Sequence, residues 1–173
     1  MANQARIVAL GGVTAALSLI FLFLGSVVPI AQMIMPAIAG LLLIVIVGEV
    51  SSIKWAWVIF AAVSILAALL CPDKGVVIYY IFFFGHYPLL KRSIERFQNR
   101  VCQWVLKFLL FNACLTAAYF ITVQLFGLPN GVVKYGYLLI LVLLNIAFVL
   151  YDIAVTRLIT VYFLRFRRHL HRR

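Results

Sequence analysis

Long uninterrupted apolar runs constrain the fold of this chain more than any other feature. Runs such as "LLLIVIVGEV" do not alternate between apolar and polar residues, so they do not fit the strands of a membrane barrel. A helix needs about 20 largely apolar residues to cross a bilayer. Because 66% of the 173 residues are hydrophobic and 11% are charged, little of the chain remains for a water-soluble domain. The sequence therefore predicts an all-α integral membrane protein.

Six apolar runs are long enough to cross a bilayer, provided that proline and glycine are tolerated within them. The linkers between these runs are short, and no internal repeat is visible. We therefore expect a single six-helix transmembrane domain over residues 1–173, which includes a basic tail at 165–173. The predicted spans are 8–28, 32–50, 54–71, 75–90, 103–126 and 132–156.

Lysine and arginine are distributed very unequally between the two sides of this topology. All of them fall on one side except Lys74 and Lys134. Cytoplasmic loops of membrane proteins carry an excess of basic residues, so we expect a multi-pass protein of the cell membrane with both termini in the cytoplasm. The basic side holds Arg6, Lys54, Lys91, Arg92, Arg96, Arg100, Lys107, Arg157, Arg165, Arg167, Arg168, Arg172 and Arg173.

A basic segment at 89–104 interrupts the apolar pattern on the predicted cytoplasmic side. Its apolar residues recur at steps of four and three, which predicts one amphipathic helix. Such a helix could lie among the headgroups of anionic membrane lipids, or it could bind a protein partner. The periodic apolar residues are Leu90, Ile94, Phe97, Val101 and Trp104.

Residue patterns typical of enzymes are absent from the sequence. There is no HExxH motif, no recognisable nucleophile with a histidine partner, and no pair of acids spaced for catalysis. The three cysteines lack metal-ligand spacing and are expected to fill apolar space. We expect no catalytic site, metal or cofactor. Attraction to anionic lipid accounts for the basic tail, so no nucleic acid is expected as a partner.

Two ionisable residues within the predicted spans have structural explanations. His86 lies two residues before Pro88, where its ring can bond a carbonyl group that the proline kink frees. Asp152 is followed five residues later by Arg157, which favours an ion pair near the membrane edge. Proton or ligand chemistry at His86, and a coupling-ion site at Asp152, remain the alternatives.

Amides and tyrosines concentrate in the last three predicted spans. Two asparagines lie near the middle of spans and are expected to bond to neighbouring helices or to contact a ligand. An aromatic belt explains some of the tyrosines, but the first two spans contain none, which suggests an outward-facing pocket instead. The candidate ligand-binding residues are Tyr79, Tyr80, Asn112, Tyr119, Gln124, Tyr135, Tyr137 and Asn145.

The first helix begins "ARIVALGGVTAALS" and carries small residues at helical spacing. Ala9, Gly12 and Ala16 form one such ridge, and Gly11 with Ala15 forms a neighbouring one. Small residues four apart allow helix backbones to approach closely.

This first helix, the six predicted spans and the basic exit resemble the S components of energy-coupling factor (ECF) transporters. These are the small substrate-binding membrane subunits of prokaryotic vitamin importers. The resemblance implies that Ala9, Gly12 and Ala16, or Gly11 and Ala15, contact a transmembrane coupling subunit. It also implies that a small ligand binds near the outer face. A planar heterocyclic vitamin would suit an aromatic pocket there. ATP hydrolysis would fall to separate cytoplasmic subunits, since the chain has no GxxxxGK[ST] motif.

The alternative is a membrane scaffold or assembly protein of the MreD type, which needs no transported substrate. In that case the basic segment and tail would recruit partners, and the tyrosines would form an interfacial belt.

Overall fold

The computed structural model describes residues 2–50, 53–126 and 137–161, and most of these residues are helical with no strand among them. The chain forms two compact units, Met1–Thr122 and Val123–Arg173. The predicted tail at 165–173 and Tyr135 lie outside the described residues. The helices are α1 (Ala2–Val27), α2 (Ile34–Val50), α3 (Ile53–Leu70), α4 (Lys74–Tyr79), α5 (Tyr87–Ile94), α6 (Arg100–Phe126) and α7 (Tyr137–Val161).

Among the described residues, four helices are long and apolar enough to cross a membrane, which agrees with the prediction of an α-helical multi-pass membrane protein. Helix α2 has 17 residues and is shorter than these four, and the predicted span at 75–90 is divided between α4 and α5. The four candidate spans are Gln4–Val27, Ile53–Leu70, Arg100–Gln124 and Leu141–Val161.

The first unit is built around α1, α2 and α3, which pack against one another. The segment from α4 to α5 packs against α2, and α4 also contacts α1 and α3. Apolar side chains from these helices form one continuous core. Close packing of protein side chains gives more dispersion contacts than lipid chains would supply. The buried core includes Leu22, Ala39, Leu43, Ile46, Ala56, Val63, Ala67, Cys71, Val76 and Tyr80.

The turn between α3 and α4 satisfies the ends of both helices. Asp73 is the N-cap of α4, and its Oδ1 accepts a hydrogen bond of 2.8 Å from the Gly75 amide. Lys74 Nζ donates to the carbonyl oxygens of Ala68 (2.7 Å) and Cys71 (2.9 Å) at the end of α3. Gln32 Nε2 donates to Asp73 Oδ2 over 3.1 Å and ties the start of α2 to this turn.

The prediction of one amphipathic helix over 89–104 was wrong. Helix α5 ends at Ile94, and α6 begins only at Arg100. Asn99 Oδ1 caps α6 by accepting from the Val101 amide over 3.0 Å. The Gln103 side chain donates to the Phe97 carbonyl over 2.6 Å, so the chain between the helices has side-chain partners for its polar backbone. The apolar residues keep a helical spacing across the break, because side chains on both sides of a tight chain reversal can face the same apolar surroundings.

Helix α7 has one buried face, formed by Phe148, Asp152 and Val155. The predicted ion pair between Asp152 and Arg157 was wrong, because Asp152 is buried while Arg157 is exposed. At about 100° per residue, positions five apart on a helix point roughly 140° away from each other. The two side chains therefore diverge, although their separation in sequence is small.

Candidate functional site: the break in the fourth helical segment

The fourth helical segment is interrupted where the sequence reads "YIFFFGHYP". Residues Tyr80–Phe84 form a π turn, in which the Gly85 amide donates to the Tyr80 carbonyl over 2.8 Å. A second helix, α5, then begins at Tyr87, with Pro88 in its first turn. Single π turns inside helices are frequent at functional sites.

Two glycines allow neighbouring groups to approach this break closely. A Cβ atom at Gly40 on α2 would collide with the carbonyl oxygen of Phe84, so only glycine fits there. A Cβ atom at Gly85 would lie 2.5 Å from Cε2 of the Phe60 ring on α3. The π turn is therefore held between α2 and α3 by contacts that leave no room for a larger residue.

His86 bonds a backbone carbonyl, as the sequence predicted. Its Nδ1 lies 2.9 Å from the Ile81 carbonyl oxygen. A carbonyl group only accepts, so Nδ1 carries the proton and Nε2 presents a lone pair. The Cys114 Sγ on α6 lies 3.6 Å from Nε2, which places the thiol as a weak donor to the ring. Among the described residues no three His, Cys, Asp or Glu side chains form a metal-binding group.

Two polar groups flank the Phe60 ring at the break. The ring centroids of Phe60 and Tyr80 are 5.7 Å apart, and those of Phe60 and His86 are 6.2 Å apart. Tyr80 is fully buried, and its hydroxyl has no hydrogen-bond partner within the described part of the chain. Burying a hydroxyl group without a hydrogen-bond partner lowers the stability of the fold, so its presence beside Phe60 needs a reason other than apolar packing. Chemically, the break combines an imidazole, a thiol and a phenol in an aromatic setting.

The predicted ligand-binding residues have different environments. Tyr79 is 36% exposed, whereas the next residue, Tyr80, belongs to the hydrophobic core. Tyr119 is 37% exposed and packs edge-on against Phe120. These tyrosines belong to the first compact unit, together with Asn112.

The remaining candidates belong to the second unit. Gln124 is exposed near the end of α6, and Tyr137 is the first residue of α7.

The two predicted amides bond along their own helices: Asn112 donates to Phe108 O over 2.9 Å, and Asn145 donates to Leu141 O over 2.8 Å. A common ligand pocket for the two sets of residues stays a prediction.

The two small-residue ridges of α1 lie in different surroundings. Gly11 is buried, and a Cβ atom there would lie 3.2 Å from Ile59 Cδ1 on α3. Ala15 packs against the hydrophobic core beside it. Ala9, Gly12 and Ala16 are exposed, and a Cβ atom at Gly12 would meet nothing within 4 Å. One ridge therefore packs inside the chain, and no residue that the structure describes covers the other.

A charged cluster that the sequence did not predict joins α5 to α6. Lys91 Nζ lies 3.3 Å and Lys107 Nζ 2.9 Å from the same oxygen, Oε1, of Glu95. Both lysines are buried, at 0% and 4% exposure. The spacing of Lys91 and Glu95 is a recognisable helical ion-pair signal, but the contribution of Lys107 depends on the chain reversal at 95–99.

We expect Glu95→Gln to lower the free energy of unfolding by about 1–3 kcal/mol. Breaking a fully buried ion pair costs about 3–5 kcal/mol, and the effect is smaller here because the Glu95 side chain is 37% exposed. Denaturant titration in detergent would measure the change. Lys54→Gln is the control, since it removes a charge from an exposed side chain. Equal stabilities for wild type and Glu95→Gln would contradict a stabilising role for the cluster.

No known protein family, curated protein or solved structure matches this chain. The protein class therefore rests on the fold, which is that of an α-helical multi-pass membrane protein.

Proposed function

We propose that this protein is the substrate-binding S component of an ECF-type importer of a vitamin or other micronutrient. The observation that carries the proposal is the uncovered ridge formed by Ala9, Gly12 and Ala16 on α1. In this proposal the ridge contacts the transmembrane coupling subunit. Cytoplasmic ATPase subunits would supply the energy for release of the ligand.

The shape of the exposed face of α1 supports a helix partner rather than a surface exposed only to lipid. The small ridge lies between large exposed side chains, with Val8 (61% exposed) on one side and Val13 (58%) and Ile20 (54%) on the other. A shallow groove of this kind admits the backbone of another helix. Gly11 and Ala15 are already engaged within the chain, so they are not part of the proposed contact.

The proposed topology has six spans with both termini in the cytoplasm. The segment from Lys74 to Ile94 runs the length of a short span, although the π turn and residues 85–86 divide it. Non-helical backbone at membrane depth is tolerated where protein covers it, and α2 and α3 cover this break. An even number of spans keeps the excess of lysine and arginine on one side.

The helix break supports a transport role. Divided helices are typical of transporter binding sites, because their free backbone groups and altered geometry can contact a substrate. Tyr79, the last residue of α4, is exposed and belongs to the predicted outer half of this segment. A small ligand would bind from that side. A planar heterocycle suits this site best, because its ring can stack on aromatic side chains.

We expect Ser93→Cys to react with a membrane-impermeant maleimide only from the cytoplasmic side. Ser93 is exposed at the basic end of α5. The test uses a Cys102→Ser background because Cys102 is exposed. Cys71 is buried, so its thiol should react slowly. Labelling of Ser93→Cys in intact cells would contradict the six-span topology.

Affinity isolation of the tagged protein from its native membrane tests the proposed assembly. We expect a membrane subunit and ATPase subunits with a phosphate-binding loop to co-purify, followed by identification through peptide mass spectrometry. Recovery of cell-shape or wall-assembly proteins without ATPases would favour the scaffold alternative and contradict the importer.

A further inference from the structure

The reversal between α5 and α6 presents exposed cations that no described acid neutralises. Arg92, Arg96 and Arg100 are exposed. None of the three forms an ion pair with any residue that the structure describes. We refer to residues 92–105 as the basic turn.

The single acid of the basic turn does not offset this charge. The Glu95 carboxylate is bonded to Lys107 Nζ at 2.9 Å and lies 3.3 Å from Lys91 Nζ. Both ammonium groups are buried, so the positive groups that reach the surface are the arginines. A ligand that approaches the turn therefore meets a cationic surface whose only carboxylate is already engaged.

Exposed apolar side chains lie beside these arginines. Phe97 is 53% exposed, Val101 70% and Val105 57%. Trp104 is 37% exposed, and Lys107 Nζ lies 5.3 Å from the centroid of its ring. Aromatic residues with basic neighbours are typical of the interface between membrane and water.

The apolar face continues without interruption into the membrane span. Val101, Val105 and Leu109 follow at intervals of four residues on α6, and Leu109 is 65% exposed. At 1.5 Å per residue, this face extends roughly 12 Å from the turn into a helix long enough to cross the bilayer. The apolar face of the turn and that of the span should therefore contact the same medium. A membrane span contacts lipid, so we expect the turn to contact lipid as well.

We propose that the basic turn binds the headgroups of anionic phospholipids. Arg92, Arg96 and Arg100 attract the phosphates, while Phe97, Val101 and Trp104 enter the boundary between headgroups and acyl chains. The combination of uncompensated cations with a continuous apolar face fits a lipid leaflet, which carries both complementary features. The binding is independent of the proposed transport function.

Fluorescence quenching at Trp104 tests this proposal directly. The chain has three tryptophans, so replacing Trp55 and Trp57 by phenylalanine leaves Trp104 as the only emitter. The protein is placed in vesicles of phosphatidylcholine and phosphatidylglycerol, with brominated acyl chains on one lipid or the other at equal mole fraction. An anionic surface favours each nearby arginine roughly fivefold, so we expect brominated phosphatidylglycerol to be enriched several-fold around Trp104.

Two triple variants decide the outcome. Replacing Arg92, Arg96 and Arg100 by glutamine should abolish the preference for phosphatidylglycerol, whereas replacing all three by lysine should keep it, because charge is retained. Circular dichroism checks that both variants remain helical. The proposal is overturned if the wild type quenches equally with both lipids, if the glutamine variant keeps its preference, or if the lysine variant loses it. Equal quenching would leave the surface for a protein partner instead.

Discussion

Replacing Gly40 by alanine should destabilise the protein severely. The new methyl group would collide with the carbonyl oxygen of Phe84, so either α2 or the π turn must move. Overpacking in a core costs about 1–3 kcal/mol, and the upper end applies here because the obstacle is backbone rather than the end of a flexible side chain. Thermal unfolding in detergent, followed by circular dichroism, would measure the loss.

Gly12→Ala is the matched control for this substitution. It adds the same methyl group to a helical glycine, but nothing lies within 4 Å of the new atom. We expect its unfolding temperature to equal or slightly exceed that of the wild type, because alanine favours a helix over glycine by up to about 1 kcal/mol and the added methyl group meets no atom. If Gly40→Ala and Gly12→Ala were equally stable, the close packing of α2 against the π turn would be refuted.

Bulk on the uncovered ridge of α1 should prevent assembly while leaving the isolated chain folded. In Gly12→Leu with Ala16→Leu, two large side chains fill the groove that a partner helix would enter. Both positions are exposed, so the chain itself can accommodate them. We expect the double variant to purify in normal yield, to retain its ligand, and to lose its coupling and ATPase subunits in affinity isolation.

A matched control places the same bulk on another exposed face. Ala61 and Ala68 on α3 are exposed and seven residues apart, so they share one side of that helix. Ala61→Leu with Ala68→Leu should leave assembly intact. Leu10→Phe would be a poor control, because Leu10 packs against the hydrophobic core. Normal recovery of the partner subunits with the Gly12 and Ala16 variant would remove the main support for the importer.

Apolar run length predicted the four long apolar helices of the described residues, because membrane insertion depends on hydrophobicity accumulated over about 20 residues. It could not predict the π turn at 80–84, where the pattern stays apolar throughout. The break depends on Gly40, which lies more than 40 positions earlier and leaves room for the Phe84 carbonyl. Only the sequence around His86 and Pro88 signalled an irregularity, and the bond from His86 to the Ile81 carbonyl matched that signal.

Periodicity misled at 89–104, because a period of 3.5 residues reports only which side chains share an environment. The Asn99 cap at the start of α6 is a local signal that the sequence offered, whereas the ion pair from Glu95 to Lys107 joins residues 12 apart and depends on the chain reversal itself. The sequence also could not show which of two adjacent tyrosines is buried. Tyr80 is core and Tyr79 is exposed, because helix phase is set by packing against neighbours.

The measurement that tests the central claim most directly is native mass spectrometry of the protein purified from its own membrane. An S component captures a small ligand, whereas a scaffold protein has no need of one. We predict a bound non-lipid molecule at one copy per chain, which survives gradual removal of lipid and is released on denaturation. A protein that carries only phospholipid after gentle purification, while retaining its fold and its protein partners, would contradict the account.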